Sequence, residues 1–244
     1  MRFSCLNSGM SPLRKKRRTR KRKSKRRIRG GGTTTPTFHV LIVTAGRPTL
    51  KGMLDSLQNE LKQGDALTIV FDGEFAQKNS GYKDDWISGF TCPVAIKEQV
   101  PSLKNWGHPT LNKNIPLLSP VTMYIMFADD DDTYIPGSFD ILRTKCTDPN
   151  TLYISKMRNP NIIPGPGSTK FSPANIGKPN GIIPFNDAGK AQFGNARLSD
   201  YEYYKNLQDN KKVAAIVFMD DIIYVTGRDE GNPANSNIDL NPGT

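Results

Sequence analysis

Short apolar runs alternate with segments of helical spacing from residue 38 onward. The run FHVLIVT, Phe38 to Thr44, is short, largely apolar and rich in β-branched residues, which predicts a buried strand. Similar runs predict strands at LTIVFDG (67–73), PVAIKEQ (93–99), MYIMFA (123–128) and AAIVFMDDIIYV (214–225). Strands of this kind are typical of a parallel sheet that is covered by helices.

Helical spacing appears between these runs. Residues 49–61 carry an apolar residue on nearly every turn, which predicts a helix, and residues 105–118 begin polar and become partly helical. Ser199 and Glu202 form a capping-box pattern that predicts a helix from Asp200 to about Gln208. This alternation predicts an α/β domain with a mostly parallel sheet and a ligand site at the carboxyl ends of the strands.

One long segment has no such periodicity. Residues 159–194 are rich in glycine, proline and asparagine, which favours a long loop. Long loops in compact domains are often lids or binding loops, so we expect this one to select the acceptor of any reaction. The residues after Gly227 are polar and are expected to fray.

Charge divides the chain into two parts. Residues 1–36 hold 14 of the 34 basic residues and no acid, whereas the remainder has 20 basic and 23 acidic residues. We therefore predict a disordered basic tail and linker at 1–36 and one folded domain at 37–244. Such a tail suits contact with polyanions, nuclear import or virion association.

No apolar run reaches the length of roughly 18 to 20 residues that a transmembrane helix needs. The N-terminus lacks the apolar core of a secretory signal. Three scattered cysteines predict reduced thiols and a cytoplasmic protein, and two histidines argue against a zinc site.

An acidic cluster follows the strand at 123–128. The four aspartates Asp129–Asp132 are consecutive, and like charges at a sheet edge repel one another unless a cation lies among them. Carboxylate oxygens favour Mg²⁺ or Mn²⁺, which commonly combine one or two carboxylates with substrate phosphates. The sequence therefore predicts a divalent-metal site here.

The segment FADDDDTYIP resembles the DxD region of GT-A fold glycosyltransferases, particularly the large family 2. That family has an apolar strand, D-x-D-D and then a proline, and Pro136 aligns Asp129 and Asp131 with the DxD pair. ADDDDTY is also similar to the ADDDNTY of glucuronyltransferases. The resemblance implies a Rossmann-like GT-A domain that uses Mn²⁺ or Mg²⁺. Such a domain would move sugar from a nucleotide-sugar donor, expected to be a UDP-sugar, to a hydroxyl of a glycan, protein or lipid acceptor.

The resemblance also assigns the donor residues. It implies Asp131 and Asp129 as metal ligands, with Asp129 near the ribose and Asp130 beside them in the donor site. VTAGRPTLKGMLDSL is similar to the family's first strand and helix, and VFDGE to its second strand. The implied contacts of the nucleotide base are Thr44, Ala45, Arg47 and Asp72.

Two further segments complete the resemblance. NWGHPTLNKNIPLL is similar to N-x-G-x-x-x-A-R-N but has Asn112-Lys113-Asn114 in place of Ala-Arg-Asn, which implies that Lys113, with Asn114, contacts the diphosphate. ARLSDYEYYKNL resembles the helix that opens with x-E-D, which implies that Asp200 is the catalytic base. FMDDIIYVTG is similar to the strand that follows this helix.

The chemistry agrees with these roles. A diphosphate leaving group needs a cation, and an acceptor hydroxyl needs a positioned carboxylate base. A single base opposite the diphosphate predicts direct displacement with inversion at the anomeric carbon. The competing candidates for the base are Asp187, Asp220 and Asp221.

Two alternatives stay open at the level of sequence. Asp129-x-Asp131-x-Thr133 also matches the nucleophile loop of haloacid-dehalogenase-like phosphatases, with Ser155 and the Asp220-Asp221 pair as later motifs. The other alternative is a nucleic-acid-binding protein that acts through its basic tail, although the acidic body offers no basic and aromatic patch.

Overall fold

The first half of the domain is a parallel sheet built from the apolar runs. The computed structural model describes residues 35–196 and 198–227; the tail at 1–36 and the end beyond Gly227 therefore lie largely outside the described residues. Its first strands are β1 (Phe38–Thr44), β2 (Ala66–Asp72), β3 (Val94–Gln99) and β4 (Tyr124–Ala128). They pair in parallel in the order β3-β2-β1-β4, with Ile42 opposite both Ile69 and Ala128.

The second half extends this sheet with mixed pairing. It contains β5 (Thr133–Tyr134), β6 (Thr151–Asn159), β7 (Asn161–Ile163), β8 (Gly181–Pro184) and β9 (Ala215–Val225). β8 is antiparallel to both β4 and β6, β6 is parallel to β9, and β5 and β7 pair at the margins. The predicted α/β class with a mostly parallel central sheet is confirmed.

Six α-helices are present in the described part of the chain. They are α1 (Leu50–Gln58), α2 (Ala76–Ser80), α3 (His108–Asn114), α4 (Ser138–Lys145), α5 (Phe185–Ala188) and α6 (Ser199–Asp209). Short 3-10 turns occur at Asp84–Ile87, Asn105–Gly107, Ile115–Leu117 and Lys178–Asn180. No helix among residues 35–196 and 198–227 is long and apolar enough to cross a bilayer.

The core lies on both faces of the sheet, as a fully buried strand requires. Phe38, Val40 and Ile42 of β1 pack into one cluster with the apolar face of α1. Leu41 and Val43 point the other way and pack into a second cluster that includes α3 and α6. The alternation along β1 therefore places α3 and α6 on the same face of the sheet, where the site is built.

Two predictions about this region are wrong. Residues 159–194 are not one long loop: β8 crosses the middle of the sheet within them, and its four residues are too few to show a period. Ser199 does not cap α6, because its hydroxyl donates to the carbonyl of Gly194 (3.1 Å) and Leu198 occupies the N-cap position without a side-chain bond. The tertiary contact with Gly194 has replaced the local capping pattern.

Candidate active site

A cavity of about 960 Å³ opens at the carboxyl ends of β1, β2 and β4, where the sheet topology predicts a ligand site. Its size is within the usual range for small-molecule sites. It gathers predicted residues that are far apart in the sequence: Ala45, Arg47, Asp72, Asp129, Asp131 and Asp200.

The turn from β1 to α1 carries Arg47 over the acidic cluster. Gly46 has a φ of +96°, and a Cβ there would lie 2.3 Å from the carbonyl oxygen of Ala76, so a side chain cannot be accommodated. The Thr44 hydroxyl accepts the Gly46 N–H (2.9 Å) and donates to Asp130. The Arg47 guanidinium forms ion pairs with Asp130 and Asp131.

The four aspartates have different surroundings. The side chain of Asp130 is fully buried and is held by Thr44 and Arg47, whereas those of Asp129 and Asp131 are about one-third exposed to the cavity. Asp129 pairs with the Lys178 ammonium. Asp132 is buried and accepts the N–H of Gly227 at 2.8 Å. Asp129 and Asp131 are therefore the two aspartates best placed to bind a ligand.

Negative charge is only partly compensated in this cluster. Burial, and then the nearby charge of Asp129, raises the pKa of Asp132 to about 7. Burial also raises the pKa of Asp131; the Arg47 charge opposes this shift, and the Asp129 and Asp130 charges add to it. An added cation would favour the ionised form of both groups, because it would offset this repulsion.

Asp200 lines the same cavity from the start of α6. Its Oδ2 accepts the backbone N–H of Lys178 (2.9 Å), and its Oδ1 lies 3.2 Å from Nε2 of His108. Burial alone would raise the pKa of Asp200, but the His108 contact and the Lys178 charge outweigh it and hold the pKa below the ordinary value. Asp200 is therefore a carboxylate at neutral pH.

Lys178 links Asp129 to Asp200, and no pattern in the sequence predicts a role for it. Its side chain is only 5% exposed; its ammonium contacts Asp129, and its backbone N–H contacts Asp200. Burial lowers its pKa, but the charges of Asp129 and Asp200 outweigh this effect and raise it, so the lysine is a cation. The only local signal was an isolated lysine in the segment IGKPNG.

The floor of the cavity includes Asp72 and a strained turn. Asp72 is buried, and its Oδ1 accepts the N–H of Leu103 at 2.9 Å. Lys104, Asn105 and Trp106 have φ values of 56°, 49° and 54°, which non-glycine residues adopt rarely and at a cost. Trp106 lies at the mouth of the cavity with 69% of its surface exposed.

Other predicted residues do not line the cavity. Thr44 and Asp130 lie beneath it; Lys113 donates to Gln99 (2.6 Å), and Asn114 donates to the Thr110 carbonyl of its own helix (2.9 Å). The contacts with the nucleotide sugar that the resemblance implies for these four residues stay predictions.

The competing catalytic residues also lie elsewhere. Asp187, Asp220 and Asp221 pair with Lys190, Lys156 and Lys145, and none of the three lines the cavity. Ser155 is fully buried and donates to the Asn180 carbonyl. The residues that the phosphatase alternative needs are therefore not assembled around Asp129.

The carboxylate oxygens at the cavity suit a divalent cation whose coordination is completed by phosphate oxygens of the substrate. Residues 35–196 and 198–227 contain no ready-made cluster of three or more His, Cys, Asp or Glu side chains for a metal. Asp129 and Asp131 nevertheless offer hard oxygen ligands to one cavity in which negative charge is undercompensated. One or two carboxylates together with phosphate oxygens are a common way to bind Mg²⁺.

Comparison with known proteins identifies the fold. No protein-family model matches the chain, and no curated protein matches its sequence. Among solved structures, TarS residues 1–349 from S. aureus with UDP-GlcNAc superposes with a TM-score of 0.59 at 13% identity, covering 83% of this chain and 62% of that one. The chain thus spans less than two thirds of that structure.

Two further structures are similar. The mannosyltransferase PcManGT from Pyrobaculum calidifontis, in complex with GDP-Man and Mn²⁺, has a TM-score of 0.56 at 12% identity, covering 82% of this chain and 59% of that one. Glucosyl-3-phosphoglycerate synthase from Mycobacterium tuberculosis, with Mn²⁺, UDP and its product, has a TM-score of 0.51 at 11% identity, covering 79% and 72%. The chain therefore has the fold of the GT-A glycosyltransferases.

Proposed function

We propose that this chain is a glycosyltransferase that uses a divalent cation, Mn²⁺ or Mg²⁺, to move a sugar from a UDP-sugar to an acceptor hydroxyl with inversion. The observation that carries the proposal is one cavity that is lined both by the part-exposed carboxylates Asp129 and Asp131 and by the ionised Asp200. Lys178 contacts Asp129 through its ammonium and Asp200 through its backbone N–H. The three similar transferases were solved with UDP- or GDP-based ligands, two of them with Mn²⁺.

The leaving group would lie against the acidic cluster. A bound cation supplies charge neutralisation to the departing diphosphate. The protein adds positive groups of its own, because Arg47, Lys104 and Lys178 all line the cavity. These cations limit the repulsion between the diphosphate and the aspartates, because they already compensate part of the negative charge.

Asp200 would take the proton of the acceptor hydroxyl. Its Oδ1 is buried against His108, so the proton reaches the carboxylate through Oδ2. With the diphosphate on the opposite side, the acceptor oxygen attacks the anomeric carbon in line as the diphosphate departs, which inverts the anomeric configuration. Because Asp200 is ionised at neutral pH, it is ready to act as the base.

A panel of nucleotide sugars tests the proposal. Purified full-length chain is mixed with UDP-, GDP-, CDP- and dTDP-sugars, with Mn²⁺ or with EDTA, and thermal stability and release of free nucleotide are measured. We expect stabilisation and slow hydrolysis of a UDP-sugar with Mn²⁺, and neither effect with EDTA. The proposal is wrong if no nucleotide sugar stabilises the protein or is consumed.

A second assay uses the nucleotide sugar found by the panel to identify the acceptor. Glycan, peptide and lipid mixtures are added in turn, and the linkage of any product is determined by NMR. Inversion relative to the donor is expected, whereas retention would remove Asp200 from the role of base and leave the transferase assignment intact.

A further inference from the structure

His108 lines the cavity beside Asp200, and its two ring nitrogens have different surroundings. It is the first residue of α3, its side chain is 8% exposed, and its Nε2 is 3.2 Å from Asp200 Oδ1. The other ring nitrogen, Nδ1, is buried and has no hydrogen-bond partner among the described residues. The imidazole is thus directed at the carboxylate through one nitrogen, and its second nitrogen is closed to any substrate.

The imidazole is held in place by stacked rings. Its plane lies 15° from that of Phe193, with ring centroids 5.2 Å apart. Phe193 in turn stacks on Tyr203 of α6, with centroids 4.1 Å apart and planes nearly parallel at 2°. Tyr203 lies on the helix that carries Asp200, so the stack ties the imidazole to the base of the reaction.

Asn112 fixes the middle ring of this stack. Its amide donates to the carbonyl of Phe193 (2.8 Å) and accepts the N–H of the same residue (2.9 Å). Asn112 is four residues after His108 on α3, so both side chains leave one face of that helix. Through Phe193, His108 and Asn112 both contact the segment that leads into α6.

We propose that His108, clamped by Asn112 and Phe193, is a positioning residue that orients Asp200 for proton abstraction. The inference rests on the proposed function. His108 cannot itself be the base, because its free nitrogen is buried, whereas Asp200 keeps 29% of its side chain exposed. The Lys178 backbone N–H donates to Oδ2, and the imidazole Nε2 lies 3.2 Å from Oδ1, which has no other polar neighbour among the described residues, so the carboxylate is contacted from two sides.

Matched variants separate the imidazole's polar contact from its packing. His108→Phe keeps a ring for the stack and removes the polar contact, whereas His108→Gln restores a donor near the Nε2 position without the ring. Turnover with the donor found by the panel should fall about 10-fold or more in the Phe variant, because the polar contact with a charged group is lost, and should recover substantially in the Gln variant. Donor KM should stay unchanged in both variants.

The pH profile gives a readout that a merely structural role would not move. The groups that act on the Asp200 carboxylate are His108, the Lys178 ammonium and the neighbouring Tyr204 hydroxyl. In the wild type, the loss of turnover on acidification that is due to Asp200 lies below about pH 5. Removing the imidazole should move this loss to higher pH, since the ionised carboxylate loses a stabilising contact. An unchanged profile and turnover in a folded Phe variant would overturn the inference.

NMR tests the contact without any activity. The chain has two histidines, so ¹⁵N signals of His108 and His39 are easily assigned, and His39 lies on β1 with its Nε2 2.9 Å from the Thr68 hydroxyl. Asp200→Asn should shift the ring-nitrogen signals of His108 and leave those of His39 unchanged. Equal behaviour of both histidines would refute the contact. If no donor is consumed by the wild type, the proposed function fails, and NMR alone decides whether His108 orients Asp200.

Discussion

Lys178→Met replaces the buried cation of the site by an apolar side chain. Two unit charges 4 Å apart attract by about 4 kcal/mol at an effective dielectric constant near 20. The variant loses this attraction to Asp129 but also avoids the cost of burying an ammonium, and Asp129 is itself about one-third exposed. We therefore expect a net loss of about 1 to 3 kcal/mol in the free energy of unfolding. The backbone N–H to Asp200 is retained.

Thermal and urea unfolding at pH 7 without divalent ions measure this loss. For a domain of this size about 2 to 4 °C is lost per kcal/mol, so the melting temperature should fall by several degrees. Mn²⁺ should stabilise the variant more than the wild type, because Asp129 no longer has an ammonium partner. Lys205→Met is the control: Lys205 pairs with Asp209 on the exposed side of α6, and its loss should have no measurable effect. A Lys178 variant as stable as the wild type would refute the reasoning.

Four further predictions concern ligands, turnover and pH. Asp131→Asn should abolish Mn²⁺-dependent binding of UDP in calorimetry while the fold is kept, and an unchanged affinity would contradict its role as a metal ligand. Asp200→Asn should lower turnover by about 10²-fold or more with little change in donor affinity, with Asp187→Asn and Asp220→Asn as controls. The pKa of Asp200 is held below the ordinary 3.8, so Asp200 should stay ionised and should cause no fall in the wild-type rate between about pH 5 and 8. Its contribution to the free energy of unfolding should be lost only as pH falls through that lowered pKa. UDP with Mg²⁺ should quench the fluorescence of Trp106 at the cavity mouth; Trp106→Phe, which leaves the half-buried Trp86, should remove the quenching.

The sequence predicts the parts of the fold that local patterns encode. The long apolar runs predict the first and last residues of β1, β2 and β4 to within a residue or two. The parallel arrangement of these strands follows from the helices between them. β6 and β8 were not identified as strands in the second half of the sheet. β8 has only four residues, and its place between β4 and β6 depends on contacts with distant segments rather than on its own composition.

For the site, too, the sequence predicts some residues and misses others. Asp129–Asp132 stand out because four acids follow an apolar strand, and Asp72 stands out because it ends one. Lys178 and His108 carry no comparable signal, since their importance comes from where the folded chain brings them. The lysine contacts acids 49 residues before it and 22 residues after it. No window along the sequence contains all three groups.

Residues 112–114 depart from the family motif that they resemble, and we expect other elements of the fold to supply positive charge to the cavity. Lys113 occupies the basic position of the family's motif, but its ammonium donates to Gln99 and does not line the cavity. The basic residues that line the cavity are instead Arg47 on the β1–α1 turn, Lys104 in the turn before α3 and Lys178 on the segment before β8. A diphosphate requires positive charge at a position in space, not at a position in the sequence, and long side chains can reach one point from several elements. Asn112, in the place of the usual alanine, is in turn used to clamp Phe193. We therefore expect Lys113→Ala to weaken UDP binding much less than Lys178→Met, and the reverse order in calorimetry would restore the motif's basic position as the diphosphate contact.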